Sequence, residues 1–461
     1  MASNLMDSTR KITIDSLPAE ILNRIFVLIC TMHPCPWSAP DIKHQPKFTN
    51  KPVILSHVSS SWRRVAITSS SLWAHIDLDP SQFQAGQLPP RTTTYLARAG
   101  SRLLDIHIVD AHDLFGDLII ADEHGFIRFL MAIFPRTWGI TVVMRDRSSS
   151  VDLFQSTIFA FLKNCVPGVL TQVSIQVIKG LLLFHTIPRN PAEQLETMVE
   201  VLGLPVTVLR LHDYYPKWTS KMYHGLTELC LRGLRGSISE PALITILRSS
   251  PKLRVLAIGI HIANSTPVDI PVTPVLLADL ELFTVYDPAR KVGDNCQPLL
   301  MRIIQPGPKP LTLSLGILRL QSILTYNLSL HNNEGLTRFF ASSNITRLVV
   351  NQLSDYTDLA NLFTLMPKVR VLALHMPAMT RAVQNESVLP VASTLDSLYV
   401  TNPVYTFTTS PLEQIIRRHG VGELTLWNEL REGVGLNQLS TVCPQVTVIS
   451  CDEPNPIQEW L

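Results

Sequence analysis

The sequence predicts an α/β chain in which a small helical domain over residues 12–78 precedes an irregular solenoid of helices and parallel strands over 100–461. Three observations predict this. In the first eighty positions apolar residues recur at helical spacing on both sides of a proline-rich stretch. From about residue 100 a seven-position string recurs, apolar at its first, fourth and sixth positions. The intervals between strings carry helix start and stop signals of their own.

In the N-terminal domain Ser16 can cap a helix, Pro18 suits its first turn, and Glu20 favours the positive end of the helix dipole. Ile21, Leu22, Ile25, Phe26 and Ile29 then form one apolar stripe. The segment from Cys30 to Pro52 contains Pro34, Pro36, Pro40, Pro46 and Pro52, which sterically exclude a continuous helix, so a loop insertion over 30–52 is expected. A second helix is expected to carry Leu55, Val58, Trp62 and Val65 at i, i+3, i+7 and i+10, with Arg63 and Arg64 beside the tryptophan. Ser71, Leu72, Trp73, His75, Ile76 and Leu78 close the domain.

The order Leu17-Pro18-Ala19-Glu20-Ile21-Leu22, Ile25-Phe26, Val58, Trp62-Arg63 and Leu72-Trp73 resembles the F-box, and most of all the F-boxes of basidiomycete fungi, in which a loop often separates the first helix from the Trp-Arg helix. Two features depart from that pattern: Ser59 stands where a Cys usually follows the valine, and the loop is long. The resemblance implies docking onto a Skp-type adaptor and, through it, onto a cullin-RING ubiquitin ligase. Carried over residue by residue, it assigns Leu17, Pro18, Ile21, Leu22, Ile25, Val58 and Trp62 to the adaptor interface. The alternative is that these residues only form the core of a small helical domain. So short a helical unit buries little surface alone, which favours a partner.

The clear strings start at Val206, Leu226, Leu253, Leu280, Ile345, Val369, Leu395, Val421 and Val446, a degenerate copy starts at Pro310, and weaker copies start at Leu103, Thr137 and Leu170. Between them, Ser410-Pro411-Leu412-Glu413 is a capping box with proline in the first turn, Leu412, Ile415 and Ile416 form a stripe, and Gly420 can end the helix. Leu359, Leu362, Phe363 and Met366 form a helical face before Pro367, and Pro241, Leu243, Ile244 and Leu247 form one before Pro251. Prolines 251, 367 and 444 stop a helix and push the chain extended ahead of a string. The array resembles leucine-rich repeats, although the eighth position after each start never carries the Asn or Cys of regular repeats. An ordinary α/β domain with a parallel sheet is the alternative.

Composition bounds the function. Lys plus Arg number 39 and Asp plus Glu 37, a net charge of +2 with no basic block, so nucleic acid is not an expected partner. Charged residues make up only 16%, against about 25% in an average soluble protein, as suits apolar surface covered by a partner. The longest weakly charged stretch, 311–330, begins with strand alternation, and the N-terminus lacks the features of a secretory signal; no membrane association is expected, and the location is cytoplasmic or nuclear. Seven cysteines then read as free, mostly buried thiols.

Phosphate-loop, dinucleotide, zinc-protease and serine-elbow motifs are absent from the sequence. Cys30, His33, Cys35 and His44 match no defensible metal-ligand spacing, and the pairs His112-Asp113 and His212-Asp213 lack a nucleophile. No catalytic residue, metal or cofactor is expected. The reading is a non-catalytic substrate-recognition subunit of an SCF-type ligase; the alternative is an interaction scaffold without ubiquitin transfer.

Target recognition is expected on the concave strand face of residues 206–452, where the residues between the core leucines point away from the core. These are Arg210 and His212, Cys230 and Arg232, Thr284 and Tyr286, Val349 and Asn351, Ala373 and His375, Tyr399 and Thr401, Thr425 and Trp427, and Ser450 and Asp452. Arg210, Arg232, Tyr286, His375, Tyr399 and Trp427 are the candidate contacts to a protein target, with the three aromatics supplying most of the energy.

Overall fold

The computed structural model describes residues 14, 17–32, 50–83, 87–110, 122–145, 148–178, 206–267, 270, 272–286, 297–315, 334–351, 353, 356–377, 379, 394–403, 409–427, 436–450, 453 and 455–460. The chain divides into two compact units, 1–170 with 177–191 and 171–176 with 192–461, so the division falls within the expected array.

The first unit opens with three helices, α1 (Ala19–Met32), α2 (Lys51–Ser56) and α3 (Ser60–Thr68). The single helix expected around Trp62 is therefore two. Ser59 breaks it: its extended backbone leaves the helical region and its hydroxyl accepts the Trp62 backbone N–H at 3.2 Å, capping α3. The departure from the F-box pattern at Ser59 thus acquires a structural role. Of the expected loop insertion, residues 33–49 lie outside the described residues, as does Ser16.

Next come β1 (His75–Leu78), α4 (Pro90–Ala99), β2 (Leu104–Val109), α5 (Glu123–Ile133), β3 (Thr137–Arg145) and α6 (Ser148–Asn164). β1 pairs in parallel with β2, and β2 with β3. The strand array therefore starts inside the range expected to be wholly helical. Ile76 stands opposite Ile106, which makes Trp73-x-x-Ile76-x-Leu78 a further string, starting at Trp73. Trp73 is fully buried; its indole N–H donates to the Ala66 carbonyl at 2.7 Å, and its ring meets Tyr95 edge-on at 5.0 Å. One side chain thus joins α3, the head of β1 and α4.

The second unit contains β4 (Gln172–Ile178, through residue 176), β5 (Val208–His212), β6 (Glu228–Ser239), α7 (Glu240–Arg248), β7 (Val255–Ala263), β8 (Val275–Leu277), β9 (Leu282–Val285), α8 (Gln297–Ile303), β10 (Ile304–Pro306) and β11 (Leu311–Leu315). It continues through α9 (Glu334–Ser342), β12 (Ile345–Asn351), α10 (Tyr356–Leu365), β13 (Val371–His375), β14 (Ser397–Thr401), α11 (Thr409–His419), β15 (Glu423–Trp427), α12 (Leu436–Val442) and β16 (Gln445–Ile449). Among the described residues β1, β2 and β3 pair in parallel within the first unit, and β4–β7, β9 and β11–β16 pair in parallel in chain order within the second, while β8 and β10 pair apart as a two-stranded sheet that no string announced. The fold is α/β with a large parallel sheet.

The register explains the string. Leu229, Leu256, Phe283 and Leu313 face one another across adjacent strands, as do Leu348, Leu372, Leu398 and Leu424. All eight are fully buried. A backbone ladder runs one position after the string start: the Thr207, Thr227 and Arg254 carbonyls accept from Thr227, Arg254 and Glu281 N–H at 2.8 Å, and the Arg370 carbonyl accepts from Asp396 at 2.8 Å. Successive repeats are thus stapled through the main chain without an Asn side-chain ladder. Seven positions after the start the chain turns into the left-handed region at Asp213, Gly233, Met376 and Asn402, which ends or interrupts the strand. Helices before Pro251 and Pro367 end as expected, and Gly420 at φ 57° closes α11.

One register differs from expectation. Val446 stands opposite Leu424 and Val448 opposite Leu426, so the last string starts at Cys443, which is buried, rather than at Val446. The positions equivalent to Thr425 and Trp427 are Thr447 and Ile449, not Ser450 and Asp452; Asp452 lies outside the described residues. Among the described residues β16 pairs with β15 alone, and Val448 stays 52% exposed.

Candidate functional site

Helix α1 carries more apolar surface than its own core uses. Leu22 and Phe26, one turn apart, are buried at 1% and 0%, and Phe26 meets Trp62 of α3 at a ring separation of 4.8 Å. The row Ile21, Ile25 and Leu28, at i, i+4 and i+7, points the other way: Ile21 is 46% and Leu28 51% exposed, with Ile25 half-buried. The single stripe read from the sequence is therefore two rows, one turned inward and one outward. α2 and its exit add Ile54 at 63% and Val58 at 58%; Pro18 is exposed and Leu17 half-buried.

The seven residues assigned to an adaptor interface thus separate by position. Leu22 and Trp62 are core residues that hold α1 on α3, so they are not placed to touch a partner directly. Pro18, Ile21 and Val58 are exposed, with Leu17 and Ile25 partly so. Spacing alone could not separate the rows, because i and i+1 on one helix both satisfy an apolar stripe about 100° wide.

The face expected to meet a target is less open than its alternation implies. Val349 and Ala373 are fully buried in a cluster with Ile457, against which Tyr399 and Trp460 pack. Trp460 meets Tyr399 edge-on at 5.4 Å, and the Arg347 guanidinium lies 5.3 Å from the Trp460 ring. The Trp427 indole N–H donates to the Glu453 carbonyl at 2.9 Å. His375 is buried, its Nδ1 2.8 Å from the Thr401 hydroxyl. From β12 to β15 the chain's own C-terminal residues therefore occupy this face, because Ile457 and Trp460 need apolar cover. Tyr399, Trp427 and His375 are already engaged.

Arg210, Arg232 and Tyr286 come earlier in the chain and are half-buried. Arg210 pairs with Glu228 through two hydrogen bonds, one of 3.0 Å, and the Arg232 guanidinium lies 3.7 Å from the centre of the Tyr286 ring. Tyr286 owes that position to Gly259, where a Cβ would come within 2.8 Å of the tyrosine Cβ.

Among the described residues Cys165 and Cys443 are buried free thiols and Cys30 and Cys230 partly buried ones. Burial pushes Cys165 up to about 11, so it is protonated and a poor nucleophile at neutral pH. His33, Cys35, His44, His112 and Asp113 lie outside the described residues. What the sequence reading missed is a group of histidines and aspartates on β1 and β2, whose signal was the mirrored pair His75-x-Asp77 and Asp105-x-His107.

No protein-family model matches the chain, and no curated protein matches it. Among the described residues no helix is long and apolar enough to cross a membrane.

Proposed function

We propose that the chain is a substrate-recruiting subunit of an SCF-type ubiquitin ligase, with α1–α3 acting as an F-box that docks a Skp-type adaptor and the leucine-rich-repeat-like array holding a protein target. The observation that carries the reading is that Ile21 and Val58, which the F-box resemblance assigns to adaptor contact, are exposed, with Ile25 of the same set half-buried, and that Leu28 and Ile54 add further exposed apolar side chains on α1 and α2. An apolar surface of this kind is stabilised by a partner that covers it, and Leu22 and Trp62 support it from beneath. The parallel array supplies a scaffold for recognition, and the stacked pair Arg232 and Tyr286 combines two residue types enriched at interface hot spots. No transfer chemistry is needed in this chain, since the ligase's RING subunit and conjugating enzyme supply it.

The test is capture of the full chain with the proteasome blocked, followed by half-life measurements on the recovered proteins. In cells carrying Ile21→Asp with Val58→Asp, a genuine target remains captured but its half-life lengthens severalfold. Tyr286→Ser is expected to cut capture by at least about tenfold, as loss of a hot-spot aromatic does. Unchanged half-lives would select the scaffold without ubiquitin transfer.

A further inference from the structure

β1 and β2 pair so that His75 stands beside Asp105 and Asp77 beside His107. Because side chains two apart on a strand share a face, the four form an alternating square of imidazoles and carboxylates. His75 Nδ1 lies 2.8 Å from Asp105 Oδ2, and its Nε2 lies 3.1 Å from Asp77 Oδ1. His107 repeats the arrangement, with Nε2 3.6 Å from Asp105 Oδ2 and Nδ1 3.6 Å from Asp77 Oδ1. One nitrogen of each ring thus converges on one oxygen of Asp105, and the other nitrogen of each converges on one oxygen of Asp77.

The two carboxylates are not equivalent. The Asp77 side chain is 1% exposed, with Arg91 Nη2 3.5 Å from its second oxygen. The Asp105 side chain is 21% and His75 34% exposed, so that side opens to solvent, and the buried Asp105 Oδ1 has no hydrogen-bond partner.

We propose that His75 Nδ1, His107 Nε2 and Asp105 form a site for a divalent transition cation of the zinc class, with Asp77 accepting hydrogen bonds from the remaining nitrogens of both imidazoles. Donor atoms of the three ligands lie within 4.8 Å of one another, the one such group among the described residues. The 2.8 and 3.6 Å separations from Asp105 Oδ2 bracket the roughly 3.3 Å between donors on a tetrahedral ion with bonds of about 2.0–2.1 Å. Ligand imidazoles characteristically donate their second N–H to a carboxylate, which fixes tautomer and ring orientation, and Asp77 stands where that group is needed. Two imidazoles select against magnesium and calcium, which prefer all-oxygen shells. The solvent side of Asp105 and His75 leaves the fourth position open to water.

The full chain, stripped with a chelator and titrated calorimetrically with Zn²⁺ at neutral pH, is expected to bind one equivalent, to melt at a higher temperature when loaded, and with Co²⁺ to show visible ligand-field absorption. Asp105→Asn or His107→Gln should weaken binding by more than about 100-fold, and Asp77→Asn by about 10- to 100-fold through lost orientation. His212→Gln, on β5 of the second unit, should change nothing. Should a ligand variant fail to fold, the wild-type stoichiometry and Co²⁺ spectrum decide alone. No stoichiometric binding by the wild type, or binding that folded Asp105→Asn and His107→Gln leave intact, would overturn the proposal.

Discussion

Replacing Glu240 with Ala is expected to destabilise the second unit by about 3–5 kcal/mol, the usual cost of removing one partner from a buried ion pair. Glu240 stands at the start of α7 with its side chain 1% exposed, and Arg302 of α8 approaches it at 3.2 Å with its own side chain 6% exposed. The carboxylate also accepts the Thr266 backbone N–H at 2.7 Å, and the guanidinium donates to the Thr266 and Pro267 carbonyls at 2.8 and 3.0 Å. The pair thus ties two helices to the turn that follows β7. Removing the carboxylate strands a cation in the interior and leaves an amide without its acceptor. Urea unfolding followed by circular dichroism measures the loss. The double variant Glu240→Leu with Arg302→Met should recover most of it, since an apolar pair of similar volume needs no charge desolvated. A single-variant loss below about 1 kcal/mol would mean that water reaches the pair.

The second large effect concerns Trp62. Its Ala variant is expected to cost about 3–5 kcal/mol in the first unit, the range for truncating a buried aromatic. The ring packs on Phe26 at 4.8 Å and is only 9% exposed, so its loss frees α1 from α3. Val58, 58% exposed, should tolerate Asp within about 0.5 kcal/mol, as surface substitutions do. Both variants are expected to lose the proposed adaptor, for different reasons. Limited proteolysis separates them: Trp62→Ala exposes α1 to cleavage, whereas Val58→Asp leaves the protease pattern unchanged. If both variants melted like the wild type, Trp62 would be an interface residue after all.

Much of the fold was legible because each string is short, its apolar positions follow the strand period, and prolines separate it from the preceding helix. Every string from Leu103 to Val421, weak copies included, falls on a strand. The string at Trp73 escaped because Trp73, Ile76 and Leu78 equally suit the end of a helical domain, and only the pairing with β2 reveals their strand role. The register of the last repeat slipped by three positions because Cys443 fills an apolar core position that a Val at 446 also seemed to mark. Long-range cover was not legible. Alternation places Tyr399 and Trp427 on an outward face, but nothing local in the sequence announces that Ile457, Trp460 and Glu453 come back to meet that face. The square of His75, Asp77, Asp105 and His107 joins residues thirty positions apart, and only the β1–β2 register brings them together.

Binding of a purified Skp-type adaptor to the full chain, compared between the wild type and Ile21→Asp with Val58→Asp, tests adaptor docking most directly. The expected result is a stoichiometric complex with the wild type and at least about a hundredfold weaker binding by the variant, with both proteins melting alike, because two exposed apolar contacts are lost while the buried pair of Phe26 and Trp62 is untouched. Equal binding by the two proteins, or no complex with the wild type, would contradict the assignment of α1–α3 as the adaptor-docking element.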